Sequence, residues 1–194
     1  MRKIIVSLFT GMITFTFAAK AGTISPEAQA LSNDAQFTEM VNLLTNFSAN
    51  VAVQKNQDAL TRYAGSNATA TDKELLFHAA GVTDEASLKD YFTRIAILRK
   101  SVNEKFTFML NNESGRQIVK EALIELASKG KITKVKFVQA DCLGAFMSNM
   151  ALCYWMYDQC WLNSENENNL CVIAVTACIS STFINGQVCF GILD

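Results

Sequence analysis

The six cysteines of this chain fall within its last 53 residues, at Cys142, Cys153, Cys160, Cys171, Cys178 and Cys189, separated by 11, 7, 11, 7 and 11 positions. An α-helix advances about 100° per residue, so a step of 11 overshoots three turns by about 20° and a step of 7 falls short of two turns by about as much. Cys142, Cys153 and Cys160 therefore share one helix face, and Cys171, Cys178 and Cys189 share another. The polar run 163–169 (NSENENN) lies between the two sets and folds the chain back. Bridged cysteines need Cα atoms about 5.5–6 Å apart, closer than the usual 8–10 Å between packed helix axes, so only residues that point at each other across the seam qualify. Two straight antiparallel helices meet that condition with a nested set: Cys160–Cys171, Cys153–Cys178 and Cys142–Cys189. Asn185-Gly186 is a turn or helix-end signal ahead of Cys189, and it bears on the outermost pair. A zinc site is not expected, because such sites favour gaps of about two to four residues and recruit histidine. The sole histidine, His78, is far from this tail.

The other end of the chain indicates the compartment. Arg2 and Lys3 precede an uncharged stretch over residues 4–19, and Ala19-Lys20-Ala21 supplies small residues ahead of Gly22. That pattern reads as a cleaved secretory signal over residues 1–21, with an uncleaved amino-terminal anchor as the other reading. Export, to the outside of the cell or to a periplasm, places the cysteines where disulfides persist.

Half of the residues are apolar and Pro26 is the single proline, a composition that suits a packed globular chain. Over residues 22–130 the apolar positions recur at helical spacing. Phe37, Met40, Val41, Leu44, Phe47 and Val51 mark a first long helix behind Asn33, with Gln36 placed to close a capping box. Thr71 with Glu74 suggests a second capping box, opening a helix that ends at Gly81. Thr83 is placed to cap a third helix, whose stripe runs from Leu88 to Met109 and stops at Asn111-Asn112. A fourth begins near Glu113 and ends at Gly130. Residues 131–138 (KITKVKFV) carry frequent charges and β-branched residues without a helical stripe, and read as a linker or one short extended segment. The expected fold is all-α: a small helical bundle over residues 22–130, followed by a disulfide-clasped antiparallel helical hairpin over residues 139–194. In outline the tail resembles disulfide-clasped helical hairpins with twin cysteine pairs and, in cysteine count, saposin-like domains; it has the spacing of neither.

Beside its cysteines, the first arm of the hairpin carries a second stripe of Leu143, Phe146, Met147, Met150, Tyr154, Tyr157 and Trp161, all within about 100° of one another on a helical wheel. Such a stripe either packs against the body or forms a surface for an unknown protein or surface partner. Residues 168–193 are uncharged over a length that could cross a bilayer, yet polar side chains dilute them and the tail has no lysine or arginine for anionic lipid, so membrane contact is not the favoured reading. After residue 21 the chain carries 14 basic against 18 acidic side chains, a balance without the basic surface that nucleic-acid phosphates require.

No motif carries a reaction. There is no glycine-rich phosphate loop, histidine-glutamate metal signature or nucleophile elbow, and His78 sits in an apolar run where a structural role is expected. No catalytic residue, cofactor or metal is implied. The sequence is read as an exported, non-catalytic binding or structural protein. The alternative is a precursor whose helical body masks a toxin-like or bacteriocin-like membrane-active hairpin.

Overall fold

The computed structural model describes residues 24–107, 112–133, 135–137, 140–163, 168–185 and 190–192. Within them the chain forms α1 (Pro26–Asn33), α2 (Ala35–Val53), α3 (Gln57–Ala64), α4 (Ala70–Ala80), α5 (Glu85–Lys105), α6 (Asn112–Ser128), β1 (Val135–Phe137), α7 (Ala140–Asn163), α8 (Asn168–Asn185) and β2 (Phe190–Ile192). The fold is all-α apart from β1 and β2, which pair antiparallel with Val135 opposite Ile192 and Phe137 opposite Phe190. The segment expected to be a linker or short extended piece thus contains a strand, and α8 ends at Asn185, where the Asn-Gly signal lies.

The helix starts follow capping chemistry, at positions shifted slightly from those read in the sequence. Asp34, not Asn33, caps α2, accepting from the Phe37 amide at 2.9 Å. Gln36 closes no box there and accepts instead from the Ser101 hydroxyl on α5. The capping box of α4 is Thr69 with Asp72, two residues before the expected Thr71 and Glu74. Asp84, not Thr83, caps α5, which ends at Lys105; residues 108–111, where its stripe was expected to stop, lie outside the described residues. Gly81 and Gly130 end α4 and follow α6 with φ of 70° and 64°, the left-handed turn that glycine adopts without a Cβ clash.

One continuous core joins body and hairpin. Helix α8 packs on α2, α5, α3 and its hairpin partner α7, while α6 bridges α7 and α1. At the centre, small hydroxyl residues let α2 and α8 approach closely. The fully buried Ser48 donates to the Thr176 carbonyl at 3.3 Å, and the fully buried Ser180 donates back to the Ser48 carbonyl at 3.1 Å. Around this contact lie Phe47, Leu44 and Val51 from α2, Phe92 and Ile95 from α5, and Val172, Ile179 and Phe183 from α8, all without solvent exposure. Longer polar ties hold the periphery: Ser25 donates to Glu121 at 2.8 Å, Tyr91 to the Leu43 carbonyl at 2.7 Å, and Asn42 to the Lys131 carbonyl at 2.9 Å.

Replacing Ser180 with Leu should overfill the α2–α8 contact and cost about 1–3 kcal/mol, whereas Ser180→Ala, which removes only the hydroxyl, should cost about 1 kcal/mol. Urea unfolding of the oxidised protein measures both. A Leu variant as stable as the parent would contradict the close approach.

Candidate functional site

The hairpin meets as the cysteine spacing requires. Cys153 bonds Cys178 and Cys160 bonds Cys171, with Cα–Cα distances of 5.6 and 5.7 Å, within the ordinary range for bridged residues. The two bonds are nested, as expected, and they belong to an oxidising compartment. The third expected pair falls outside the described residues: Cys189 lies beyond α8, and the Cys142 side chain is not among those described.

The stripe beside the cysteines is turned inward. Phe146, Met147, Met150, Tyr154 and Tyr157 are each at most 4% exposed, and the Phe146 ring meets Phe183 of α8 edge to face at 5.0 Å between centroids. In this fold these five side chains are core and not a partner surface, because α7 has α6, α8 and the centre of the body to cover them. The Trp161 side chain lies outside the described residues. What the hairpin turns outward is a different set: Leu152 and Met156 on α7 and Leu170 on α8 are exposed.

Where the hairpin meets α5, a fully buried arginine enters the core. The Arg99 guanidinium carbon lies 5.9 Å from the centroid of the Tyr157 ring, within range of a cation–π contact. Burial pulls its pKa down to about 10, so it stays a cation at neutral pH. Burial pushes the phenols of Tyr154 and Tyr157 well above the usual tyrosine range and keeps them neutral beside it.

A cleft of about 330 Å³ opens at the α3–α4 corner. Its floor is apolar: Tyr63 from α3, Phe92 from α5, and Leu170 and Ile173 from the first turns of α8. The Tyr63 and Phe92 rings stand edge to face, 6.3 Å between centroids. Its rim is charged. Glu85 bridges two lysines, with Lys73 at 2.7 Å and Lys89 at 3.3 Å. The hydrogen bond from Lys73, then that from Lys89, holds the Glu85 carboxyl below its ordinary range, while Glu85 raises the Lys73 ammonium. Glu85 and Lys73 are therefore both charged at neutral pH. Burial, then the Glu85 charge, raises the Tyr63 phenol, which stays a neutral hydroxyl.

The corner that rims this cleft is pinned by an ion pair. Arg62 on α3 donates to Asp72 through Nε at 2.9 Å and through its second nitrogen, and Asp72 also accepts from the Thr69 amide at 2.8 Å. The Arg62 hydrogen bond, with help from Thr69, depresses the Asp72 carboxyl far below the usual carboxylate range.

Sequence reasoning did not find the cleft. Glu85 and Lys89, four residues apart on a helix, are a legible surface pair, but nothing in the sequence brings Lys73, Tyr63 and Ile173 to the same place. His78 is exposed, and its Nδ1 lies 2.9 Å from the Gln54 amide nitrogen, a contact that fits a structural role. Among the described residues no group of three or more His, Cys, Asp or Glu side chains could hold a metal ion, and no helix is long and apolar enough to cross a membrane. Comparison with protein-family models, curated proteins and solved structures finds no match for this chain.

Two measurements test this geometry. Because the folded Asp72 carboxyl has a depressed pKa, its contribution is fully present above the unfolded value of about 3.9 and is lost as pH falls through and below it. Asp72→Asn should therefore lower stability at neutral pH and flatten the decline seen in urea midpoints between about pH 6 and about pH 2; an unchanged pH profile would show that the pair does not contribute. For the disulfides, chain-entropy loss scales with the closed loop, 25 residues for Cys153–Cys178 and 11 for Cys160–Cys171. Cys153→Ala/Cys178→Ala should cost about 3.5 kcal/mol and Cys160→Ala/Cys171→Ala about 2.8 kcal/mol. The reverse order would mean that closure of the unfolded chain does not set their effect.

Proposed function

We propose that this chain is an exported, non-catalytic binding protein whose hairpin is held by three nested disulfides, Cys142–Cys189 being the third. The observation that carries the reading is the position of α8. A helix clasped by two disulfides is built into the centre of the body and also forms one wall of a cleft with an apolar floor and a charged rim. Such concavities, apolar with a few convergent polar groups, are the usual places where small ligands bind. Support for the third bridge comes from the β-ribbon. Phe137 lies three positions before α7 begins and pairs with Phe190, the neighbour of Cys189 in sequence, which draws the two ends of the hairpin together at its base.

The other reading, a membrane-active hairpin released from a masking body, draws less support. The stripe that a free hairpin would expose is the one packed into the common core, so release would uncover Met147, Met150 and Tyr154 and remove α8 from α2 and α5.

Peptide mapping under non-reducing conditions, on protein taken from the extracellular or periplasmic fraction, tests the proposal. The expected product begins at Gly22 and contains three nested cystines. A separate tail fragment starting between Lys131 and Asp141 would favour the precursor reading instead, and six free thiols would overturn the exported, oxidised protein altogether.

A further inference from the structure

We infer that the cleft between α3, α4, α5 and α8 binds a small amphipathic monoanion, a carboxylate carrying a short apolar tail, with Lys73 and Lys89 taking the carboxylate and Tyr63 and Leu170, over the buried Phe92 and Ile173, taking the tail. The inference rests on the reading of the chain as a binding protein.

Charge is the first argument. Two ammonium groups face one carboxylate across the rim, so the site carries one uncompensated positive charge. Each lysine has three donors, and Glu85 accepts from each of them, which leaves further donors for a second carboxylate in the same plane of approach. Glu85 also holds the two ammoniums together: without it they would repel, and with it both remain within reach of a single ligand headgroup. Helix direction adds to this. Glu85 is the first residue of α5, Lys73 lies in the first turn of α4 and Leu170 in the first turn of α8, so three helices direct their positive ends to this corner.

The second argument is the floor. A purely polar anion would leave the part-exposed Tyr63 ring and the exposed Leu170 side chain, which lie over the buried Phe92 and Ile173, facing water, and an uncharged apolar ligand would leave the lysines unused. A volume of about 330 Å³ stands at the lower end of what ligand pockets enclose, which limits the tail to a short chain or a single ring. Tyr63 lines the same cleft as Lys73, Glu85 and Lys89, so its ring and the charged rim face one ligand.

Octanoate and 1-octanol, titrated into the full oxidised protein and followed by calorimetry and by NMR shifts, are the probes. Octanoate should saturate at one site, with shifts at Tyr63, Phe92 and Ile173, and should bind at least about tenfold more tightly than the alcohol. Lys73→Gln/Lys89→Gln should remove that preference. Leu170→Glu sets a carboxylate at the exposed edge of the apolar floor, at a helix start that accommodates acidic residues, and should weaken octanoate binding far more than that of the alcohol. Equal binding of acid and alcohol, insensitive to either variant, would overturn the anion while leaving a binding cleft. No saturable binding of either probe would overturn this inference, while the exported, disulfide-held binding protein is judged separately by the peptide map.

Discussion

The contact between α2 and α8 is the constraint on which the rest of the fold depends. Helices joined over more than a hundred residues of sequence come together through two serines that each donate to a carbonyl of the facing helix, Ser48 to Thr176 and Ser180 to Ser48. Serine is small enough for close approach, and its hydroxyl is satisfied there, so no buried polar group is left to offset the packing gained. Once α8 lies on α2, its remaining faces must be covered by α5, α3 and α7, and the disulfides fix α7 along its length. Body and hairpin then cannot be independent units, because the largest apolar residues of each are buried by the other.

That dependence explains which parts of the fold the sequence revealed. The cysteine register was legible because it is a matter of helical periodicity within one segment, and both described bridges follow it. The helices with long apolar stripes were legible for the same reason. Two short ones, α1 and α3, were not, although Ser25-Pro26 is a helix-start signal: eight residues give too few periods for a stripe to stand out. The caps slipped by one or two positions because Thr69 and Thr71, or Thr83 and Asp84, are equally good cap formers by type. The choice between them falls to residues elsewhere, as when Arg62 holds Asp72 at the start of α4. The cleft was illegible throughout, since its residues come from four elements and their meeting is a result of tertiary packing.

The inward turn of the tyrosine and methionine stripe has an electrostatic counterpart. After Lys136 the chain has no lysine or arginine, so any cation in the hairpin's surroundings must come from the body. Arg99 is that cation. Placing a guanidinium where solvent cannot reach it is costly, and a leucine would fill much of the same space without that cost. What the guanidinium adds is direction, because it lies over the face of one ring, Tyr157, where a purely apolar contact between α5 and α7 would be tolerant of sliding. The hairpin is thus fixed along its own seam by covalent bonds and against the body by an oriented charge.

These two constraints meet at the cleft. Cys171 stands between Leu170 and Ile173, so the innermost bridge, Cys160–Cys171, anchors the very turn of α8 that walls the apolar floor. A helix end would ordinarily fray, and a ligand would then have to order it at a cost in conformational entropy on binding. Clasped to α7, the first turn of α8 is already in place, as are the two rings opposite it and the lysines bridged by Glu85. The disulfide therefore acts twice: it limits the unfolded chain, and it would leave the cleft with little to reorganise on binding the proposed ligand.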